Sequence, residues 1–433
     1  MKDFVDLNYH NGFGNEFESE ACAGALPKGQ NSPQKPPLGL YAEQINGTSF
    51  LAPRQDNLRT WCYRIHPSVH TSLSCKIEFE NFLSKPFSPS YTAAQPYRFN
   101  TFIKNKQSQI GFLESIVTIC GNGGQDSFDG SSVHLYGFNN YNDTQFFCNN
   151  DGDFLFVPYQ GAVEIATELG HLRVSPGQIA VIPRGIVYNV KNLDDFCAGY
   201  ILENYGLHFR LPYLGPIGSN GLANPRDFQY PIAKFYDKRG NYSIITKLAA
   251  QFFQRELDYN PLNVVAYHGN YLPYKYCLSL FNTINTVSFD HCDPSIFTVL
   301  TSPSTINTFS NCDFVIFPPR WMVSERSFRP PYYHKNFMSE FMGLIEGVYD
   351  AKENDFVIGG FSIHNRFVPH GPDKQAFLKA TNSELKPQYL ANTMAFMFES
   401  SNPYYLTAKA ASSSDLQKNY IDCWKNLPYN FKI

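Results

Sequence analysis

Between residues 80 and 205 the apolar positions fall in short runs: "IGFLESIVTIC", "DFLFVP", "AVEIAT", "LRVSPGQIAVIP" and "VYNV". Gly, Asn and Asp separate them. Closely spaced short strands of this kind predict a sandwich or barrel. A later series, "NTVSF", "SIFTVLT" and "DFVIFP", repeats the pattern. Between the two series, "SIITKLAAQFFQREL" (243–257) puts Ile244, Leu248, Gln251 and Phe252 at helical spacing and is expected to form an amphipathic helix. The proline-constrained segment "GQNSPQKPPLGL" (29–40) is expected to be an extended arm or wrapping loop.

The two series carry a degenerate internal repeat. Gly177, Pro183, Gly185, Tyr188 and Asn192 have the spacing G-x5-P-x-G-x2-H-x3-N of the second cupin motif, with Tyr188 in the metal-binding histidine position. Upstream, Pro158, Gln160 and Glu164 resemble the first motif, H-x-H-x3-E, with both histidines lost. In the later series His334, Asn336, Glu340 and Gly347 fit H-x-H-x3-E-x6-G, with Asn336 in place of the second histidine. The expected fold is therefore mainly β: two tandem cupin/jelly-roll-like β-sandwich units with few helices. Residues 1–280 would form a metal-free unit with its arm, and 281–433 the unit that keeps a metal site. A jelly roll packs two sheets and leaves a mouth for a small ligand.

Composition narrows the function. A chain of 433 residues with 43% hydrophobic and 17% charged content suits a globular protein with a well-filled core. The 38 Phe and 28 Tyr favour β-structure. A net charge of −3 with dispersed Lys and Arg gives no electrostatic basis for binding nucleic acid or an anionic membrane. No apolar run approaches a membrane span, and "MKDFVDLNYHNGFGNEF" lacks the apolar core of a signal peptide. The ten Cys include no CxxC pair, so neither a zinc cluster nor a redox dithiol is indicated, and a reducing cytoplasm is expected.

The candidate chemistry lies between residues 291 and 370. A mononuclear ferrous site for oxygen chemistry uses two imidazoles, one carboxylate and open coordination positions. His334 and Glu340 supply two of these ligands at cupin spacing. "SIHNRFVPHGPD" offers His364 and His370 for the third, and spacing does not choose between them. His291, in "FDHCDPS", reads either as a turn histidine or as a general base, since imidazole titrates near neutrality. Other features carry less. Pro67 between His66 and His70 argues against a helical metal pair. "HGNYLPYKY" (268–276) could line a pocket or end a strand. "GNGGQDSFDGSS" (121–132) lacks a P-loop Lys-Ser/Thr and reads as a flexible surface loop. No GxSxG nucleophile elbow is present.

Several long segments are more specific: "GFGNEFESEA", "GALPKGQNSPQKPPLGLYAEQINGTSF", "PLNVVAYHGNYLPYKY", "FDHCDPSIFTVLT", "RPPYYHKNFMSEFMGLI" and "PHGPD". With them the chain resembles the homogentisate 1,2-dioxygenase family from end to end. The resemblance implies a two-part cupin-related fold and a non-haem Fe(II) site. It also implies conversion of homogentisate and O2 to maleylacetoacetate in tyrosine and phenylalanine breakdown. It assigns iron to His334, Glu340 and His370, the acid–base role to His291, and substrate contact to Tyr349 together with His370. His364 falls near the iron, outside its ligand set. The same resemblance implies a cytoplasmic homo-oligomer, a hexamer assembled as a dimer of trimers. The stretch "KENDFVIGGFSIHNRF" departs most from the family's pattern.

Overall fold

A computed structural model describes residues 7–85, 87–105, 108–284, 288–306, 309–329, 331–349, 351 and 356–433. The expected run at 285–289 falls mostly on 285–287, outside the described residues, as do 350 and 352–355 beside Tyr349. Strands dominate, with three short α-helices among the described residues: Phe112–Ser115, Lys374–Asn382 and Ala408–Ala411. None is long and apolar enough to cross a membrane. All ten cysteines are free thiols.

Two sheets with matching pairing organise the chain. In the first, Cys197–Asn204 lies between Asp153–Gln160 and Ser131–Phe138, placing Glu203 opposite both Phe154 and Ser132. In the second, Thr393–Ser400 lies between Ser339–Gly347 and Ser310–Phe317, placing Glu399 opposite both Glu340 and Asp313. The next strand inward completes the match, since Phe154 faces Ile182 and Glu340 faces His364. Positions 203, 154 and 182 thus correspond to 399, 340 and 364. Counting along each strand, Cys148, Asn150, Phe154 and Gly161 stand where His334, Asn336, Glu340 and Gly347 stand. This corrects the alignment of Pro158, Gln160 and Glu164, which lies ten residues too late (164 against 154). Gly161 and Gly347 both take positive φ, +68° and +71°. A Cβ on Gly347 would sit 1.6 Å from the Asn392 carbonyl oxygen, so that turn admits only glycine.

In the first half aromatic rings fill the counterpart positions. Phe154 packs against Phe147 and Phe156, and Tyr188 meets both of those rings edge-on at 5.7 and 6.2 Å. Beside this aromatic plug runs a buried charge network. Glu203 accepts from Lys247 Nζ at 2.5 Å, Asn149 Nδ2 at 2.6 Å and the Tyr205 hydroxyl at 3.0 Å, and His134 Nε2 lies 3.1 Å away. Lys247 Nζ is also 3.3 Å from Asp151.

That network explains why 243–257 is not a helix. It is a hairpin of Arg239–Leu248 and Gln251–Tyr259, turning at Ala249 and Ala250 with φ of +51° and +62°. Both turn N–H groups donate to the Asp151 carboxylate, at 2.8 and 2.9 Å. Ile244, Ile245, Thr246, Phe252 and Phe253 are strand formers, and only the extended chain brings Lys247 to Glu203; tertiary pairing overrides the helical spacing. Alanine in the left-handed region is strained by roughly 1–2 kcal/mol per residue. The double change Ala249→Asn with Ala250→Gly is therefore expected to raise the thermal midpoint, read by circular dichroism.

Two further expectations change. The stretch 121–132 is anchored at its ends by buried Asn122, Ser131 and Ser132, while its middle, including Phe128, is exposed. Asn122 Nδ2 donates to Ser400 Oγ and to the Asn402 carbonyl, at 3.1 and 3.0 Å, tying the halves together. Tyr271, Tyr274 and Tyr276 are core residues of the first half. Most of the proline-rich segment is exposed; Leu40 is buried and the Tyr63 hydroxyl donates to the Asn31 carbonyl at 2.8 Å. Edge strands also cross between halves: Tyr97–Phe99 pairs with Phe361–His364, and Tyr405–Leu406 with Val117–Gly121.

Candidate metal centre

His334 sits in the turn before Ser339–Gly347, and Glu340 is that strand's second residue. The chain reverses between them because Asn336 closes the turn, its Oδ1 accepting from Met338 N at 3.1 Å. His370 arrives from the segment after Phe361–His364. Paired backbone hydrogen bonds, His334 N to His370 O at 3.0 Å and His370 N to His334 O at 3.1 Å, clamp the two residues side by side.

The ring nitrogens then have fixed roles. His334 Nδ1 lies 2.8 Å from the Tyr332 carbonyl, and His370 Nδ1 lies 2.9 Å from the Val368 carbonyl. A carbonyl only accepts, so each Nδ1 carries the proton and each Nε2 turns inward as a lone-pair donor when the ring is neutral. His370 Nε2 is 2.9 Å from Glu340 Oε2 and His334 Nε2 is 3.6 Å from Glu340 Oε1. One ligand atom from each of His334, Glu340 and His370 falls within 4.8 Å of the others. His370 Nε2 is buried without a hydrogen-bond partner. Two imidazole lone pairs aimed at a carboxylate repel it unless a cation lies between them. This donor set, two nitrogens and one oxygen, fits a divalent transition metal with open coordination positions.

With no cation in the cluster, protonated rings serve instead: burial alone would raise the Glu340 carboxyl, but hydrogen bonds from the imidazoles of His334, His364 and His370 in their charged form hold it well below the usual carboxylate range. His364 faces Glu340 across the sheet, with Nδ1 3.6 Å from Glu340 Oε2. Its ring lies flat on that of His370, 4.1 Å away and 6° from parallel, and its Nε2 meets the Tyr420 hydroxyl at 3.1 Å. Of the two histidines left open by spacing, His370 therefore joins the inward-facing cluster, and His364 backs it.

The cluster forms one wall of a cavity of about 550 Å³ that His291, Tyr349 and Arg320 also line. That volume suits one substituted aromatic ring with space for a second small molecule. His291 Nδ1 lies 2.6 Å from the Cys292 carbonyl, leaving Nε2 as its basic nitrogen. Tyr349 is buried and packs on Phe317 at 5.6 Å.

Two cavity residues escaped sequence reasoning. Asp313 and Glu399 lie beside Glu340 across successive strands, giving the row Asp313, Glu399, Glu340, His364. Burial raises Glu399, and the neighbouring Asp313 and Glu340 push it further, to about 8. Asp313 is raised mainly by burial. A lone acid inside the apolar strands "SNCDFVIF" and "TMAFMFES" was the signal that could have marked them.

Two adjoining family models span the chain. The homogentisate 1,2-dioxygenase N-terminal model matches residues 8–278, and the C-terminal model matches 279–431. The chain belongs to the homogentisate 1,2-dioxygenase family. A homogentisate 1,2-dioxygenase of Sinorhizobium medicae is 50% identical over 427 residues, covering 98% of this chain and 94% of the relative. That of Pseudomonas fluorescens is 49% identical over 98% of this chain and 97% of the relative. That of Caenorhabditis elegans is 49% identical over the full length of both. These relatives span bacteria and an animal at nearly constant identity.

Proposed function

We propose that this chain is an Fe(II) ring-cleaving dioxygenase converting homogentisate and O2 to maleylacetoacetate. The observation that carries the reading is the convergence of His334 Nε2, His370 Nε2 and the Glu340 carboxylate on a cavity that His291 and Tyr349 also face. His334, Glu340 and His370 would hold the iron. When bound, iron supplies a centre at which the phenolate and O2 exchange electrons. Both oxygen atoms enter the product, and the carbon–carbon bond between the acetate-bearing and adjacent hydroxyl-bearing ring carbons is broken, so no external reductant is required.

The protein's own groups prepare the substrate. His291 Nε2 accepts the phenol proton and later returns it, while its Nδ1 stays committed to the Cys292 carbonyl. Tyr349 and His370 flank the ring, and His364 holds His370 by stacking. The aromatic and aliphatic wall, including Phe297, Phe317 and Met342, excludes water and strengthens the electrostatics of the charged groups. Replacing His291 with glutamine is expected to leave iron content unchanged and to lower kcat by roughly 10²–10⁴-fold, the usual contribution of a positioned proton acceptor. Wild-type kinetics in that variant would remove His291 from the mechanism.

Family resemblance further supports a metal-free unit over 1–280, an iron-bearing unit over 281–433, a cytoplasmic location and a hexamer of two trimers, which sedimentation tests. Oxygen uptake by anaerobically iron-loaded protein tests the reaction. Homogentisate should elicit uptake with formation of a ring-opened product, whereas gentisate and 3-hydroxyanthranilate should not. Bound iron with no uptake would reject the reading.

A further inference from the structure

Asn336 stands where the cupin pattern has a second histidine ligand, and it lines the same cavity as His334, Glu340 and His370. Its side chain bends onto two carboxylates: Nδ2 donates to Glu340 Oε1 at 3.0 Å and to Glu399 Oε1 at 3.2 Å. Its Oδ1 accepts from Met338 N, and its backbone carbonyl accepts from Phe367 N at 2.7 Å. A primary amide has two N–H donors, and here both are committed to acids, so the orientation of the amide is fixed from three sides. Glu340 Oε1 is thereby held, and Oε2 is left facing His370 Nε2.

The far end of this link has no structural necessity. Glu399 lies in a strand of otherwise apolar and small residues, beside two more acids in register, Asp313 and Glu340. Grouping carboxyl groups away from bulk water costs stability, whether they stay charged or are driven to take up a proton. The corresponding acid of the first half, Glu203, is neutralised by the buried Lys247. At position 399 the partner is the neutral amide that also grips Glu340. A local arrangement that disfavours the fold while contacting a candidate ligand marks a functional constraint.

We propose that Glu399, acting through Asn336, is a positioning residue for the metal-binding carboxylate of Glu340. The proposal rests on Glu340 being a ligand, the reading given above. By anchoring the amide, Glu399 holds the Glu340 carboxylate in the orientation that meets the metal. The amide thus stands at the cupin pattern's second histidine position with its Nδ2 and Oδ1 engaged in hydrogen bonds.

The test is iron affinity, measured by competition with a chromophoric Fe(II) chelator, with circular dichroism as the control for folding. Asn336→Ala is expected to weaken iron binding roughly 10–100-fold, the usual penalty for losing a partner of a metal ligand. Glu399→Gln retains an acceptor oxygen for Asn336 and should bind iron nearly as wild type, whereas Glu399→Leu should lose affinity as Asn336→Ala does. Combining Glu399→Leu with Asn336→Ala should bring no further loss. If the Leu change lowers affinity by the same factor in both backgrounds, its effect does not pass through Asn336 and the proposal fails. Should Glu399→Leu not fold, Asn336→Asp gives the same reading, because it keeps the size and removes both donors. Wild-type affinity in that variant would overturn the proposal. Glu340→Ala separates this failure from that of the parent reading: iron retained by Glu340→Ala rejects the ligand, while iron lost there but kept by Asn336→Ala rejects only the positioning role.

Discussion

Replacing His370 with alanine is expected to give a folded protein that binds almost no iron and consumes no oxygen with homogentisate. Among the described residues the imidazole is one of two nitrogen donors in the cluster, and the shortest approach in it is the 2.9 Å between His370 Nε2 and Glu340 Oε2. Its backbone pairing with His334 does not involve the side chain, so the clamp between the two segments survives the change. Losing a donor atom should exceed the roughly 10–100-fold penalty of losing a partner of a ligand. His364→Ala supplies the internal scale, because His364 stacks on His370 without joining the inward cluster, and a loss of about 10–100-fold is expected there. Iron per chain by mass spectrometry and oxygen uptake check both. Equal losses in the two variants would show that His364 coordinates too, and turnover in His370→Ala would remove His370 from the site.

The largest effect on stability is expected far from the metal, at Lys247. Lys247→Met should destabilise the protein by about 3–5 kcal/mol, because it leaves Glu203 charged and buried with its cation gone. Burial would raise the Glu203 carboxyl, but Lys247 and His134 overcome this and hold it far below the usual range. The sign of the pH dependence follows. A carboxyl depressed in the folded state contributes stability that is present above its unfolded pKa and is lost as the pH falls toward the folded value. The difference between wild type and Lys247→Met should therefore shrink as the pH falls from 7 to 4: the variant's buried Glu203, raised by burial, takes up a proton above the ordinary carboxylate range, and below about pH 4.5 wild type loses its own advantage. Urea unfolding at pH 7 and pH 4 measures it. An equal difference at both values would mean that the methionine acts through packing alone.

What could be read from the sequence was what local spacing encodes. His334, Asn336, Glu340 and Gly347 lie within fourteen positions (334 to 347), and the turn and strand they form bring the first three to one wall. The strand runs were legible because short apolar stretches between turn residues have few other solutions. Glu399 and Asp313 were not, since nothing near them in the chain signals that they flank Glu340; only cross-strand register does. The misaligned first-half motif has the same cause. Glu164 satisfied the template's surviving acid, while the true counterpart of Glu340 is Phe154, which shares no chemistry with it. At 243–257 the spacing was genuinely helical, and the deciding facts were the Asp151 carboxylate beneath the turn and Glu203 beneath Lys247, both far away in the chain.

The exchanged edge strands give the candidate metal site an unusual dependence. The strand bearing His364 has Tyr97–Phe99 as its outer neighbour, and the Arg98 guanidinium lies 4.3 Å over the ring of Tyr420, whose hydroxyl meets His364. Arg98 Nε also donates to Gln417 Oε1 at 2.5 Å, so a residue from the early chain grips the tail behind the metal. The first half, plugged and without ligands, therefore acts as scaffolding for chemistry it does not perform. Opening of that half would release the outer strand and loosen the backing of His370. Iron retention during partial unfolding becomes a gauge of how intact the whole chain is, including parts that never approach the substrate.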